Sequence, residues 1–442
     1  VKESPKNHIQ QPELLASLSE VHSSISVPEG AGFWKKMMAF TGPGLLVAVG
    51  YIDPGNWATD IEGGSRFGYT LLSVILISNL FAMLLQHLSL KLGIAAGRDL
   101  AQACRDYYSR PVSFVLWILS EIAIAATDLA EVIGSAIALN LLFGLPLPVG
   151  VVFTALDVLL VLYFQQKGFR IIESIVAGLM GIILLCFAYE MIVSQPSVAG
   201  MLDGLIPKAE IVTNPGMLYI AIGILGATVM PHNLYLHSSI VQTRAFNKDE
   251  AGKKSAIKFA TIDSTVSLGL AFFINGSILI LAASAFHKNG HFTVADITDA
   301  YHLLDPILGV SLAGVFFALA LLASGQSSTL TGTLAGQIVM EGFLNIRLKA
   351  WVRRLITRGI AIVPALIVAS IYGEKGTAEL LVLSQVILSL QLSFAVVPLV
   401  FFTSNKKIMG KFANSRILTI ISWIITLVII GLNIFLLYKT FF

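Results

Sequence analysis

Two short stretches inside apolar runs hold the residue types that could do chemistry. The first is Asp53-Pro54-Gly55-Asn56, between Leu45-Leu46-Val47-Ala48-Val49 and Trp57-Ala58-Thr59. The second is Gly226-Ala227-Thr228-Val229-Met230-Pro231-His232-Asn233. Proline removes a backbone donor and clashes with the preceding turn, and glycine adds freedom, so a helix holding either motif should unwind there. Asp53 would then be a carboxylate deep in apolar surroundings, costing about 2.5–3.5 kcal/mol at mid-bilayer unless a cavity and a partner receive it. Asn56 adds an amide oxygen. At matching spacing Ala227 offers a freed backbone carbonyl and Met230 a thioether. Hard oxygens alone suit Mg²⁺ or Ca²⁺, whereas a thioether shifts preference toward transition metals. Met230 taken singly reads as apolar filler. Opposite Asp53 it reads as a ligand.

A second set of groups could move protons. Glu121, Asp128 and Glu131 lie among apolar residues. At about 100° per residue, 128 returns to within about 20° of 121 and 131 lies within about 80°, so the three share one face. That face must line the protein interior, as a hydrogen-bond network or as a proton relay. His232, two residues past Met230, is suited to accept a proton beside the metal ligands. His237 points about 140° away around the helix, so the two histidines form no metal pair. Neither sits in a His-Glu-x-x-His arrangement, which speaks against an embedded zinc protease.

The elements that must position these groups follow from composition. Of 442 residues, 56% are apolar and 12% charged, and the mean hydropathy is +0.81. Ordinary soluble proteins are roughly 45–50% apolar and about 25% charged. A globule could not hide this much apolar surface, but a bilayer can. The same arithmetic excludes disorder, nucleic-acid binding and a disulfide scaffold, and the two cysteines, Cys104 and Cys186, signal no metal or redox chemistry. Residues 1–32 are polar, hold Pro5, Pro12 and Pro28, and read as a flexible tail with no room for a signal peptide.

Beyond Phe33, runs of about 20 apolar residues recur, the length that crosses the hydrocarbon core. Eleven spans are expected, near 38–66, 70–94, 112–142, 147–165, 170–193, 215–243, 256–286, 308–338, 350–371, 378–402 and 417–438. The N-terminal tail and alternate loops then hold 23 Lys and Arg, and the opposite set holds 5. This places the N-terminus in the cytoplasm and the C-terminus outside. Only Arg358 lies well inside a span. The motifs fall in spans 1 and 6, five apart, so spans 1–5 and 6–10 have opposite orientation. Paired broken helices in an inverted repeat mark the midplane site of secondary transporters. The domain reading is a polar tail 1–37, a first repeat 38–193, a second repeat 215–402 and an extra helix 417–438.

Asp53-Pro54-Gly55-Asn56, followed by Met230-Pro231-His232-Asn233 and Leu236-His237-Ser238, resembles the Nramp family (natural resistance-associated macrophage proteins). The resemblance runs from Gly42-Pro43-Gly44 through Leu383-Ser384-Gln385-Val386. It implies an all-α polytopic membrane protein with the fold of the bacterial leucine transporter. It also implies proton-coupled import of Mn²⁺ and Fe²⁺, often with Cd²⁺, Co²⁺ or Zn²⁺. By position the ligands would be Asp53, Asn56, the Ala227 carbonyl and Met230, with Gln385 approaching the metal in some conformations. The proton pathway would use Asp53, His232, Glu121, Asp128, Glu131 and His237. At the start of span 9, Trp351-Val352-Arg353-Arg354 would place Arg353 or Arg354 against the span 3 acids, where positive-inside anchoring is the plainer account.

The expected partners are divalent ions, protons and the lipid bilayer, with no cofactor, no nucleic acid and function as a monomer. Ser324, Gly325, Ser327, Ser328, Thr329, Thr331, Gly332 and Thr333 in span 8 read as small residues allowing close helix contact. Asp157, Glu173, Glu190 and His87 are expected near span ends or in satisfied pairs. The one Asn-x-Ser acceptor, Asn275-Gly276-Ser277, falls inside span 7 and could not be glycosylated there. A bacterial plasma membrane fits that. The alternatives are a Mg²⁺-selective transporter, which Met230 disfavours, and a Na⁺-coupled organic-solute symporter, against which Asp53 counts.

Overall fold

A computed structural model of the chain describes residues 16–28, 30–156, 163, 167–294, 296–310, 312–346 and 350–441, leaving aside the side chains at 155, 350, 351, 353–355, 357, 374, 375 and 439–441. Helices dominate. The one sheet among the described residues is a parallel pair, Ile25–Ser26 with Arg244–Ala245. Eight helices are long and apolar enough to cross a membrane. They are Leu72–Ala96 (span 2), Arg110–Phe143 (span 3), Phe169–Ser194 (span 5), Pro215–Thr243 (span 6), Glu250–Asn289 (span 7), Ala313–Leu344 (span 8), Gly376–Ser404 (span 10) and Arg416–Tyr438 (span 11).

The remaining three expected spans differ for particular reasons. Span 1 is divided into Pro43–Gly50 and Pro54–Phe67, each too short to cross alone. Span 9 is Ala350–Ile371, with a buried arginine in it. Span 4 is described over Leu147–Phe153 and Thr154–Leu156, and its continuation, including Asp157, lies outside the described residues. Leu185, Ile192 and Ile417 are exposed on the outer surface, the condition of helices solvated by lipid. The chain is an all-α polytopic membrane protein.

Helix ends and close approaches fix the bundle around span 1. Span 3 stops at Gly144, whose φ of 68° suits glycine and whose N–H returns to the Asn140 carbonyl. Span 7 runs alongside span 1: a Cβ at Gly44 would lie 2.7 Å from the Asp263 backbone, and one at Gly64 would lie 2.4 Å from the Leu279 carbonyl. Asp263 caps the first half of span 1, accepting from Gly44 N–H at 2.7 Å and Gly42 N–H at 3.3 Å.

Part of the tail expected to be flexible is packed instead. Leu18 is 2% exposed within the main core, and its N–H donates to Glu341 Oε2 at 2.9 Å. Ser23 N–H reaches the Gln242 carbonyl at 2.9 Å, and the two-residue ladder follows directly. Scattered apolar contacts at Leu18, Val21 and Ile25, main-chain bonds and the side chains of Glu341 and Gln337 hold this segment, which leaves no periodic pattern for composition to reveal.

Candidate functional site

Span 1 is unwound at Tyr51, Ile52 and Asp53, and span 6 at Met230. Both breaks come just before the prolines rather than at them. Pro54 and Pro231 open the second half-helices, where a missing N–H costs nothing and a fixed φ helps. Gly55 and Asn56 are therefore helical. Asp53 caps the second half of span 1, its Oδ1 accepting from Asn56 N–H at 3.0 Å. The freed carbonyls are satisfied from neighbouring spans. Tyr51 accepts from Asn275 Nδ2 at 2.7 Å, and Ile52 accepts from Trp57 Nε1 at 3.2 Å and from the Ser324 hydroxyl. Broken backbone at membrane depth requires such partners.

The two breaks face each other. Asn56 Nδ2 donates to Asp53 Oδ1 at 2.7 Å and to the Ala227 carbonyl at 3.1 Å. Asn233 Nδ2 lies 3.6 Å from Met230 Sδ and 3.5 Å from the Val47 carbonyl. The Gln385 amide from span 10 occupies the space that a side chain at Gly55 would fill. Asp53, Ala227, Met230 and Gln385 are fully buried, and Asn56 is nearly so. Among the described residues, Asp53 Oδ2 and Gln385 Oε1 have no hydrogen-bond partner. A buried carboxylate oxygen without a donor is costly unless something cationic meets it. The donor set is mixed: carboxylate, amide and carbonyl oxygens with one thioether. No three His, Cys, Asp or Glu side chains cluster among the described residues, so an ion here would be held by one acid and neutral ligands.

Span 6 reaches span 10 through glycine. A Cβ at Gly226 would lie 2.4 Å from the Gln385 carbonyl and 2.6 Å from Ser389 Cβ. Gly226→Ala is expected to force the spans apart and to lower stability by about 1–3 kcal/mol, read as earlier thermal unfolding in detergent. Unfolding at the parent temperature would mean that the contact has slack.

The acid row is only partly one site. Asp128 and Glu131 are buried at 1% and 0% exposure, but Glu121 is half-buried and bonded to Trp117 Nε1 at 3.1 Å. His232 Nδ1 stands 3.4 Å from the Thr127 hydroxyl, with Asp128 near enough to act on it electrostatically. His237 belongs elsewhere. Its Nδ1 is 2.9 Å from Gln86 Oε1, and Gln86 Nε2 donates to Tyr51 Oη at 2.8 Å, so it leads to the span 1 break and away from the acids.

Among the described residues, the cation of the row is Arg358, which sequence alone marks only as a charge inside a span. It is 1% exposed, lies 3.8 Å from Glu131 Oε2, and donates to Thr329 Oγ1 at 2.8 Å and to the Asp128 carbonyl at 3.4 Å. The side chains of Arg353 and Arg354 lie outside the described residues. Ser324 and Thr329, read as packing residues, bond to the span 1 break and to the acid row respectively. A hydroxyl in a stripe of small residues was the available signal. Glu173 is paired as expected, with Arg244 at 2.7 Å and Arg170 at 3.1 Å, and His87 meets Thr261 at 2.9 Å. Glu190 meets the other expectation, lying near the end of span 5, and is fully buried with neither carboxylate oxygen hydrogen-bonded among the described residues.

Comparisons with known proteins bear on this geometry. The family model described as natural resistance-associated macrophage protein-like matches residues 44–439. A divalent metal cation transporter MntH of Listeria monocytogenes is 66% identical over 96% of this chain and 95% of its own length. The protein of the same name from a Nostoc species is 63% identical over 97% of each. Among solved structures, a manganese transporter of Eremococcus coleocola superposes with a TM-score of 0.89 at 44% identity, covering 95% of this chain and 90% of the other. Mhp1, a nucleobase-cation-symport-1 family transporter, shares the fold at a TM-score of 0.60 and 15% identity over 90% of this chain and 91% of its own.

Proposed function

The chain belongs to the natural resistance-associated macrophage protein (Nramp) family, and from that premise we propose that it imports divalent transition-metal ions, Mn²⁺ and Fe²⁺ foremost, together with protons. The observation that carries this reading is the meeting of the two helix breaks. Asp53, Asn56 and the Ala227 carbonyl meet in a buried place, one carboxylate oxygen is without a donor, and Met230 is buried at the span 6 break three residues past Ala227. The Asn56 amide N–H now joins two oxygens that a cation would also join. On metal entry the amide turns over, offers its oxygen, and leaves Asp53 and Ala227 to the ion. Gln385 stands beside the same carboxylate and completes the shell as span 10 moves. The relatives' printed names, divalent metal cation and manganese transporters, support the cargo class.

Protons take a separate exit. Asp53 releases its proton as the dication arrives, because a metal favours the ionised ligand. His232 receives it beside the metal, and Asp128 and Glu131 pass it along span 3 with Arg358 as counter-charge, toward Glu121. The excess of Lys and Arg in alternate loops, 23 against 5, supports a cytoplasmic N-terminus and an external C-terminus in a bacterial plasma membrane. The repeats 38–193 and 215–402 would rock against each other around the fixed midplane site, with 417–438 appended and the monomer as the working unit.

Met230 tests the choice of metal. Met230→Ala is expected to weaken Mn²⁺ and Cd²⁺ binding about tenfold and to admit Ca²⁺ or Mg²⁺ better, since the thioether rewards soft ions and displaces a water that a hard ion would keep. Calorimetry with each ion reads this out. Unchanged exclusion of Ca²⁺ would move selectivity to another residue and revive the Mg²⁺-selective alternative.

A further inference from the structure

Thr329 stands between the charged groups where spans 3, 8 and 9 meet. Its hydroxyl accepts from Arg358 Nη2 at 2.8 Å and donates to Glu131 Oε2 at 3.0 Å, whereas the guanidinium reaches that oxygen only at 3.8 Å. All three residues are buried, at 1%, 1% and 0% exposure for Thr329, Arg358 and Glu131. Arginine has donors only, and a hydroxyl has one proton to give. With Arg358 on its acceptor side, that proton is aimed at Glu131. While Glu131 is ionised, that fixes the direction of the bond.

The rest of the turn is built to match. Thr329 is β-branched, so its side chain has few rotamers, and its carbonyl accepts from the Thr333 hydroxyl at 2.6 Å. One turn on, a Cβ at Gly332 would lie 3.0 Å from Glu131 Oε1 and 3.6 Å from Asp128 Oδ1. Span 8 thus gives one carboxylate oxygen a hydroxyl and the other an open space. Among the described residues, the charged or titratable groups around Thr329 are Asp128 and Glu131 from span 3, Arg358 from span 9 and, across Thr127, His232 from span 6.

We infer that Thr329 is a positioning residue of the proton route, an inference that rests on the reading of that route given above. Its hydroxyl sets the distance and orientation of the Glu131 carboxyl relative to Arg358, so proton passage through Glu131 depends on it. Among the described residues its hydrogen bonds go to Glu131, Arg358 and Thr333 and to none of the metal ligands named above.

Thr329→Val keeps the shape and removes the hydroxyl, and Thr329→Ser restores the hydroxyl. In proteoliposomes, Thr329→Val is expected to lower the number of protons entering per Mn²⁺ several-fold and to flatten the dependence of uptake on external pH. Calorimetric Mn²⁺ affinity should stay at the parent value, and Thr329→Ser should recover ratio and pH dependence. A valine variant with the parent's ratio and pH dependence would overturn the inference. So would joint loss of Mn²⁺ affinity and coupling that serine does not rescue, because the role would then be packing. Glu131→Gln in the same assay separates the two levels: an unchanged ratio there fails the route itself, whereas a change with Glu131→Gln and none with Thr329→Val fails only Thr329.

Discussion

Asp53→Ala is expected to abolish Mn²⁺ uptake and to lower Mn²⁺ affinity by at least about a hundredfold, close to 2.7 kcal/mol. The other proposed ligands, Asn56, the Ala227 carbonyl, Met230 and Gln385, are neutral, so the variant leaves a dication in a buried place with no formal charge among its ligands. Neutral groups cannot replace that term in a medium where charges are poorly screened. The same change removes the cap of the second half of span 1, at a cost of about 0.5–2 kcal/mol, but also removes a buried carboxylate oxygen that lacks a donor. Asp53→Asn separates the two effects, because it keeps a capping oxygen and deletes the charge. Uptake and affinity should be lost in both variants. Parent-like Mn²⁺ affinity in Asp53→Asn would remove the carboxylate from the site.

Arg358→Gln should have the second large effect, and on protons rather than metal. The guanidinium is nearly fully buried, and its described partners are Glu131, Thr329 and the Asp128 carbonyl. Removing one member of a buried ion pair costs about 3–5 kcal/mol, because the other charge is stranded. Proton entry per Mn²⁺ should collapse, while Mn²⁺ affinity measured on folded protein stays within about threefold of the parent, as for sites that share no partner. Arg358→Lys keeps the charge without the planar fork and should recover only part of the coupling. The double variant Arg358→Gln with Glu131→Gln should be more stable than Arg358→Gln alone, since Glu131 is then no longer a stranded charge. A double variant less stable than either single change would show that the two residues do not act as a pair.

Sequence patterning disclosed the architecture and the two facing helix breaks for identifiable reasons. Apolar runs of membrane-spanning length are hard to mistake, and a carboxylate beside Pro-Gly inside one has few bland explanations. The breaks lie slightly earlier than the motifs because Pro54 and Pro231 start half-helices instead of interrupting whole ones. Arg358 was visible as a buried charge, but only packing of span 9 on span 3 identifies its partner. Thr329 and Ser324 sit in a run of small residues whose composition speaks of close packing and not of where each hydroxyl points. His237 follows the site motif closely in sequence, yet its angle around the helix sends it to Gln86 and Tyr51. The packed segment around Leu18 is held by a few apolar side chains, main-chain bonds and the distant Glu341 and Gln337, so no local pattern marks it.

The central claim is that metal held between the two breaks enters together with protons. Recording Mn²⁺ entry and luminal acidification at once, in proteoliposomes prepared without a pH gradient, tests it most directly. Adding external Mn²⁺ should produce both signals, and Asp53→Asn should extinguish both. Mn²⁺ entry without acidification, or entry that persists in Asp53→Asn, would contradict the account.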